Sequence, residues 1–315
     1  MRRVVITGVG AVTPIGNNVK DFWANLTAGK NGIDYIKSFD SANINVKVAG
    51  EIKDFDPIAL GLDKSIARRS DKFVQYALIA AKEAMEDSKI EISPERLGVY
   101  VGTGVGGLNV FIEETKKYLT EGPKWVSPLF VPMFIPNMAS SNIAITYNAQ
   151  GPSVPVTAAC TTGSMAIGEA YKAIAAGFAD AIIAGGTEAG ATELGIASFA
   201  SCKALSCSDK IDEASLPFDK RRAGFVLSDG AGIVVLEEYE HAKARNAKIY
   251  GEICGYGISS DAHHITAPVA DGSIAARAIS QAIQQAQISE NDVVYINAHG
   301  TGTHMNDVAE TKAIK

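Results

Sequence analysis

The chain has 315 residues, 47% of them hydrophobic and 20% charged, which is too apolar for a disordered tail and enough to bury one large core or two ordinary ones. Lys and Arg number 29 against 35 Asp and Glu, a net charge of −6, which argues against a globally basic nucleic-acid binder. Four cysteines in a chain this long make no disulfide framework and suit a reducing cytosol.

The apolar run after Arg2-Arg3 is too short for a signal peptide. Val4 to Ile6 read as a buried strand followed by Gly8 and Gly10, and Asp21 to Ala28 as a short helix. Lys72 to Ser88 carries Phe73, Tyr76, Ala77, Ala80 and Ala84 at helical spacing. A strand at Leu97 to Val101 runs into Gly102-Thr-Gly-Val-Gly-Gly107. Residues 125–168 contain no Asp, Glu, Lys or Arg, yet Pro128, Pro132, Pro136, Pro152 and Pro155 break them too often for a membrane helix. That stretch is expected to lie in a core or at a subunit contact.

A strand-like run at Ser153 to Thr157 precedes Cys160, and a helix with a small-residue face spans Thr162 to Ala176. Strands follow at Ala181 to Ala184 and Gly232 to Leu236, then a charged helix at Tyr239 to Arg245 that puts His241 on the surface. Ile253 to Gly257 then repeats the opening plan of strand and Gly-x-Gly; a helix covers Ser273 to Gln287, and a strand at Val293 to Asn297 delivers Asn297-Ala-His-Gly-Thr-Gly-Thr303. Strands alternating with helices predict an α/β fold with a largely parallel sheet, and the repeated order points to internal duplication. Asp307 with Glu310 reads as a capping box opening a helix that has run barely two turns at Lys315, so the second half is expected to be incomplete.

Gly102, Gly104 and Gly107 satisfy G-x-G-x-x-G, but Glu121-Gly122-Pro123 is a polar turn where a dinucleotide site needs an acidic strand end. Close backbone packing or the lining of a cavity is the simpler reading. Cys202 and Cys207 have no partner pair at zinc spacing, so no metal is expected. Cys160 lies between a strand-like run and a helix, where unpaired N–H groups and the helix dipole favour a thiolate and can hold an oxyanion. The competing reading is a buried, inert cysteine. His299 ends a strand in a Gly/Thr loop, where an imidazole N–H can meet a carbonyl oxygen gaining charge.

Through its Cys160 and His299 segments the chain resembles the β-ketoacyl-[acyl-carrier-protein] synthases, condensing enzymes of thiolase fold, and most of all the type II synthases of dissociated bacterial fatty-acid synthesis. Val4–Gly16, Gly102–Leu108, Ala158–Ser164, Pro217–Gly232 and Asn297–Thr303 match the family's pattern in order. The resemblance implies a thiolase-like layered αβαβα fold with internal duplication. Residues 1–250 would form the half that holds the nucleophile cysteine, and residues 251–315 the start of a truncated second half.

It further implies a decarboxylative Claisen condensation of malonyl carrier protein with an acyl chain on Cys160, with His299 as the first of two active-site histidines. By the same resemblance Thr301, Thr303 and Thr266 contact the pantetheine arm, His264 lies in a mobile loop, and Asp307 and Glu310 organise the site from behind. Val105 and Phe134, the latter with Met133 from a partner subunit, would line the acyl pocket of a cytoplasmic homodimer. Arg68, Arg69, Lys72 and Lys124 would dock the acidic acyl carrier protein. No cofactor is implied, since 4′-phosphopantetheine arrives on the carrier, and neither nucleic acid nor membrane is a partner. The family's lysine, second histidine and Gly-rich gating loop are not among these residues, so the 315 residues alone are expected to be inactive or poorly folded. A polyketide-type ketosynthase of the same fold and a non-catalytic condensing partner are the alternatives; the presence of Cys160 argues against the second.

Overall fold

The computed structural model describes residues 2–315. In chain order the elements are β1 (Val4–Val12), α1 (Val19–Thr27), β2 (Asp34–Tyr35), β3 (Val48–Ala49), α2 (Lys64–Arg68), α3 (Lys72–Ser88), β4 (Leu97–Gly102), α4 (Leu108–Glu121), α5 (Phe130–Phe134), α6 (Met138–Tyr147), α7 (Thr162–Ala175), β5 (Ala181–Glu188), α8 (Glu193–Ser201), β6 (Gly230–Glu238), α9 (Tyr239–Ala244), β7 (Gly251–Glu252), α10 (Ser273–Ala286) and α11 (His304–Ile314). Contacts divide the chain into two compact units. The first comprises Met1–Gly32, Gly50–Gly195 and Ser228–Glu252, the second Ile33–Ala49, Ile196–Leu227 and Ile253–Lys315.

The first unit is built on a five-stranded sheet in the order β4-β5-β6-β1-β7. Only β4 and β5 pair in parallel; β6 runs antiparallel to both β5 and β1, and β7 antiparallel to β1. The sheet is therefore mixed, which corrects the expectation of a largely parallel one. Alternating helices and strands predict crossovers, but they are silent on β6, which inserts in reverse between two strands that share a direction.

Strand alternation separates the two faces. Ala181 and Ile183 of β5 cluster with Phe73, Ala77 and Ala80 of α3. One residue out of phase, Gly186 points at Gly163 of α7, where a Cβ would come within 3.0 Å of its Cα. Helices thus cover both faces, in an α/β/α arrangement.

The approach of α3 to β1 depends on Gly8 and Gly10, because a Cβ on either would collide with the carbonyls of Ala84 and Ala80. The backbone beside them is satisfied by the same helix: Val9 N donates to Asp87 (3.1 Å) and Ala11 N to Glu83 (3.0 Å). The second unit repeats this device. Gly255 and Gly257 face the carbonyls of Ala282 and Ala278 on α10, while Tyr256 N donates to Gln285 (2.8 Å) and Ile258 N to Gln281 (3.2 Å). In both places each bonded side chain sits three residues after the alanine. The internal duplication is therefore visible at the level of individual hydrogen bonds.

Several predicted strands are not formed. Residues 253–257 and 293–297 belong to no strand among the described residues, and Val294 and Tyr295 are 97% and 79% exposed. A strand exists only as one side of a ladder, and among the described residues no edge pairs with either run. Residues 153–157 likewise make a single bridge, Ser153 to Val99. The charge-free stretch is core only in part: Ala139 and Ile143 are buried in the core cluster, but Val131 and Ile145 are 58% and 78% exposed. His241, expected on the surface, keeps 31% of its side chain exposed while its ring meets the fully buried Glu237 at 2.6 Å.

Candidate active site

The nucleophile turn is assembled on the end of β4. Val99 N donates to Pro152 O and Val154 N to Val99 O, both at 3.0 Å, so residues 152–154 run beside the strand. Gly102 lets this segment close in, since a Cβ there would strike Val156 O and come within 2.5 Å of Thr162 Cγ2. Thr157 Oγ1 then donates to Thr103 O at 3.1 Å. The chain turns through Ala159, whose φ of +49° is costly for a residue with a Cβ, into a 3₁₀ turn over Ala159–Thr161. Buried Thr162 fixes the turn by accepting from Ala158 N at 2.8 Å. Cys160 thus stands immediately before the N-terminus of α7 and is exposed. The cysteine is therefore not buried.

A carboxylate that sequence reasoning missed shapes the neighbouring loop. Glu188, the last residue of β5, accepts from Thr103 Oγ1 and Gly104 N, each at 2.8 Å. Gly106 N donates to Thr103 Oγ1 (3.1 Å) and Gly107 N to Phe134 O (2.9 Å). Desolvation pushes the Glu188 carboxyl above its ordinary value, opposed by those hydrogen bonds. The amides at Gly104, Gly106 and Gly107, which a dinucleotide pyrophosphate would need, are therefore already engaged. Its one sequence signal was an acid closing an otherwise apolar strand. Val105, at the loop's tip, is 41% exposed, and Phe134 stacks on Phe130 with centroids 5.5 Å apart. Arg68, Arg69, Lys72 and Lys124 are all exposed.

The second unit holds the histidine loop. Glu310 accepts from His299 N (2.6 Å) and Gly300 N (2.9 Å). Asp307, 2% exposed, accepts from Gly302 N (3.1 Å) and Phe218 N (2.6 Å). Thr301 and Thr303 hydroxyls lie 2.9 Å apart. The helix cap differs from expectation: α11 begins at His304 with Thr303 as N-cap, its hydroxyl accepting from Asn306 N. Asp307 and Glu310 are helix residues whose carboxylates reach back to the loop amides instead of capping their own helix. Thr266, exposed, and Ala267 both donate their N–H to His264 Nδ1, at 3.2 and 3.1 Å.

Among the described residues no helix is long and apolar enough to cross a membrane. The family profile described as "Beta-ketoacyl synthase, N-terminal domain" matches residues 1–242, and "Beta-ketoacyl synthase, C-terminal domain" matches residues 250–315. The chain is 48% identical over 317 residues to a 3-oxoacyl-[acyl-carrier-protein] synthase 2 of Staphylococcus aureus, covering 100% of this chain and 76% of that protein. It is 48% identical over 318 residues to the protein of the same name from Synechocystis sp., again covering 100% and 76%. Among solved structures, a beta-ketoacyl synthase from Burkholderia phymatum superposes with a TM-score of 0.90 at 35% identity, over 99% of this chain and 77% of that one. A type II polyketide ketosynthase bound to its acyl carrier protein and a hexaketide superposes with a TM-score of 0.87 at 34% identity, over 99% and 76%.

Proposed function

Because the chain belongs to the β-ketoacyl synthase family, we propose that it is an acyltransferase condensing malonyl carrier protein with an acyl chain carried on Cys160, in fatty-acid elongation. The observation that carries this reading is the turn that presents an exposed cysteine at the N-terminus of α7. There the helix dipole favours the thiolate.

In the first half-reaction the Cys160 sulfur attacks the acyl thioester of the carrier's pantetheine. A new C–S bond forms, the old one breaks, and the departing thiolate takes a proton. In the second, malonyl thioester loses CO2, and the electrons of the broken C–C bond become an enolate. His299 donates an imidazole N–H to the enolate oxygen. The enolate carbon attacks the acyl carbonyl, the Cys160 thiolate leaves, and the product is a β-ketoacyl thioester two carbons longer. Decarboxylation supplies the driving force, so no strong base is required.

Thr301, Thr303 and Thr266 contact the pantetheine arm, and His264 belongs to the loop that moves at its entrance. Asp307 and Glu310 support the histidine loop from behind. Val105 and Phe134 line the acyl pocket. The carrier's acidic surface meets Arg68, Arg69, Lys72 and Lys124, charges that steer association. A second copy of the chain covers the exposed apolar residues Val131, Ile145 and Val154, giving a homodimer. The protein works in the cytoplasm with no cofactor of its own. Fatty-acid elongation is favoured over polyketide synthesis because the 48% relatives are 3-oxoacyl-carrier-protein synthases, whereas the polyketide ketosynthase is 34% identical.

Intact-mass spectrometry after incubation with acyl carrier protein tests the reading. The expected result is one acyl adduct, absent from Cys160→Ala. A folded parent protein that never gains an adduct would overturn it.

A further inference from the structure

The segment Pro217–Gly224 belongs to a motif that the proposed chemistry leaves without a role, and the structure lays it along the histidine loop. Gly224 N donates to Gly302 O at 2.9 Å. The Phe218 ring comes within 3.2 Å of the position a Cβ on Gly300 would take, and Phe218 itself is held at a φ of +64°. Such a conformation is strained for a bulky side chain and persists only where its surroundings enforce it. Here the enforcement is visible, since Phe218 N donates to Asp307 Oδ2 at 2.6 Å.

Arg222 ties the two sides together. Its guanidinium donates to His304 O (3.1 Å) and Thr303 O (3.4 Å), and it is anchored on its own segment through Asp219 O (3.0 Å). It also makes an ion pair with Asp307 at 3.6 Å, the two side chains being 14% and 2% exposed. The loop's amides at His299, Gly300 and Gly302 are thus held by the carboxylates of α11. Its carbonyls at Gly302, Thr303 and His304 are held by the 217–224 segment.

We propose that Arg222, which meets Asp307 beside the strained Phe218, is a positioning residue for His299, clamping the loop opposite to Asp307 and Glu310. This rests on the reaction proposed above. A catalytic imidazole must be held within about 0.5 Å of its working position by groups that are themselves locked. Arginine suits the task because its planar fork addresses several acceptors at once, which a lysine ammonium on a flexible stem does not.

The test compares the parent with Arg222→Met and Arg222→Lys. Amide exchange followed by NMR is expected to accelerate at least about tenfold at Gly300 and Gly302 in both variants, with α10 unchanged. The His299 ring resonance, assigned with His299→Gln, is expected to shift in both. Cys160 acylation should stay within about twofold of the parent, while malonyl carrier protein decarboxylation falls about ten- to a hundredfold in kcat with KM unchanged. Unaltered exchange at Gly300 and Gly302, or an Arg222→Lys protein behaving as the parent, would overturn the clamp. So would faster exchange spread evenly over α10 and α11, which marks general loosening. A parent that fails to acylate Cys160 strikes the proposed reaction instead and leaves exchange and the ring resonance to judge the clamp.

Discussion

Asp229→Asn is expected to make the protein more stable at neutral pH. Asp229 precedes β6 and accepts from Ala191 N at 2.8 Å. Burial pushes its carboxyl from the ordinary 3.8 up to about 6; the Ala191 bond and Lys72 oppose the rise, and Glu51 and Glu188 add to it. A carboxyl whose folded value is raised binds its proton more tightly in the native state. Its contribution to stability is therefore complete below pH 3.8, declines as pH rises, and is lost above about 6. At about 1.4 kcal/mol per pH unit, that interval corresponds to about 3 kcal/mol. This is an upper value, because Asp229 keeps some contact with solvent. Asparagine keeps an oxygen for Ala191 N and carries no charge to bury. In urea melts the advantage of Asp229→Asn should be near zero at pH 4 and climb to a plateau approaching about 3 kcal/mol by pH 7. A difference independent of pH, or a variant less stable than the parent at pH 7, would refute the reasoning.

Two other perturbations read the scaffold. Fully buried Glu237 accepts from Thr7 (2.8 Å), His241 (2.6 Å) and both sides of the Arg245 fork (2.8 and 2.7 Å). Burial pushes its carboxyl up, but these partners outweigh burial and hold it below the ordinary value. Glu237→Ala strands a cation and should cost about 3–5 kcal/mol in urea melts above pH 5, with the penalty shrinking as pH falls through the depressed carboxyl value; a loss under 1 kcal/mol would count against the network. Gly102→Ala drives a Cβ into Val156 O and Thr162, so it should destabilise by about 1–3 kcal/mol and slow alkylation of Cys160 by iodoacetamide, while the rates at Cys202 and Cys207 stay at the parent's.

What was legible in the sequence is what local pattern dictates. The spacing of Phe73, Tyr76, Ala77 and Ala80 set the range of α3, and the two Gly-x-Gly runs announced a duplication that recurs down to the helix side chains holding the backbone between the glycines. The placement of Cys160 before a helix followed from a strand-like run meeting a small-residue helix. What was not legible depends on partners distant in sequence. The reversed sense of β6 is decided by which edges it pairs with, and residues 293–297 have the composition of a strand but join no ladder among the described residues. Glu188 meets Thr103 across 85 residues, and Arg222 meets His304 across 82, separations that no periodicity reports. Asp307 and Glu310 have capping-box spacing, yet Thr303, with its hydroxyl nearer the turn, takes the cap and frees both carboxylates for the loop.

All four cysteines are exposed, so accessibility alone cannot favour one of them. Peptide mapping after a short incubation with acyl carrier protein therefore tests the central claim most directly. An acyl thioester is predicted on the Cys160 peptide, with Cys202, Cys207 and Cys254 unmodified. Acyl groups spread over those three, or a folded protein with Cys160 unmodified, would contradict it.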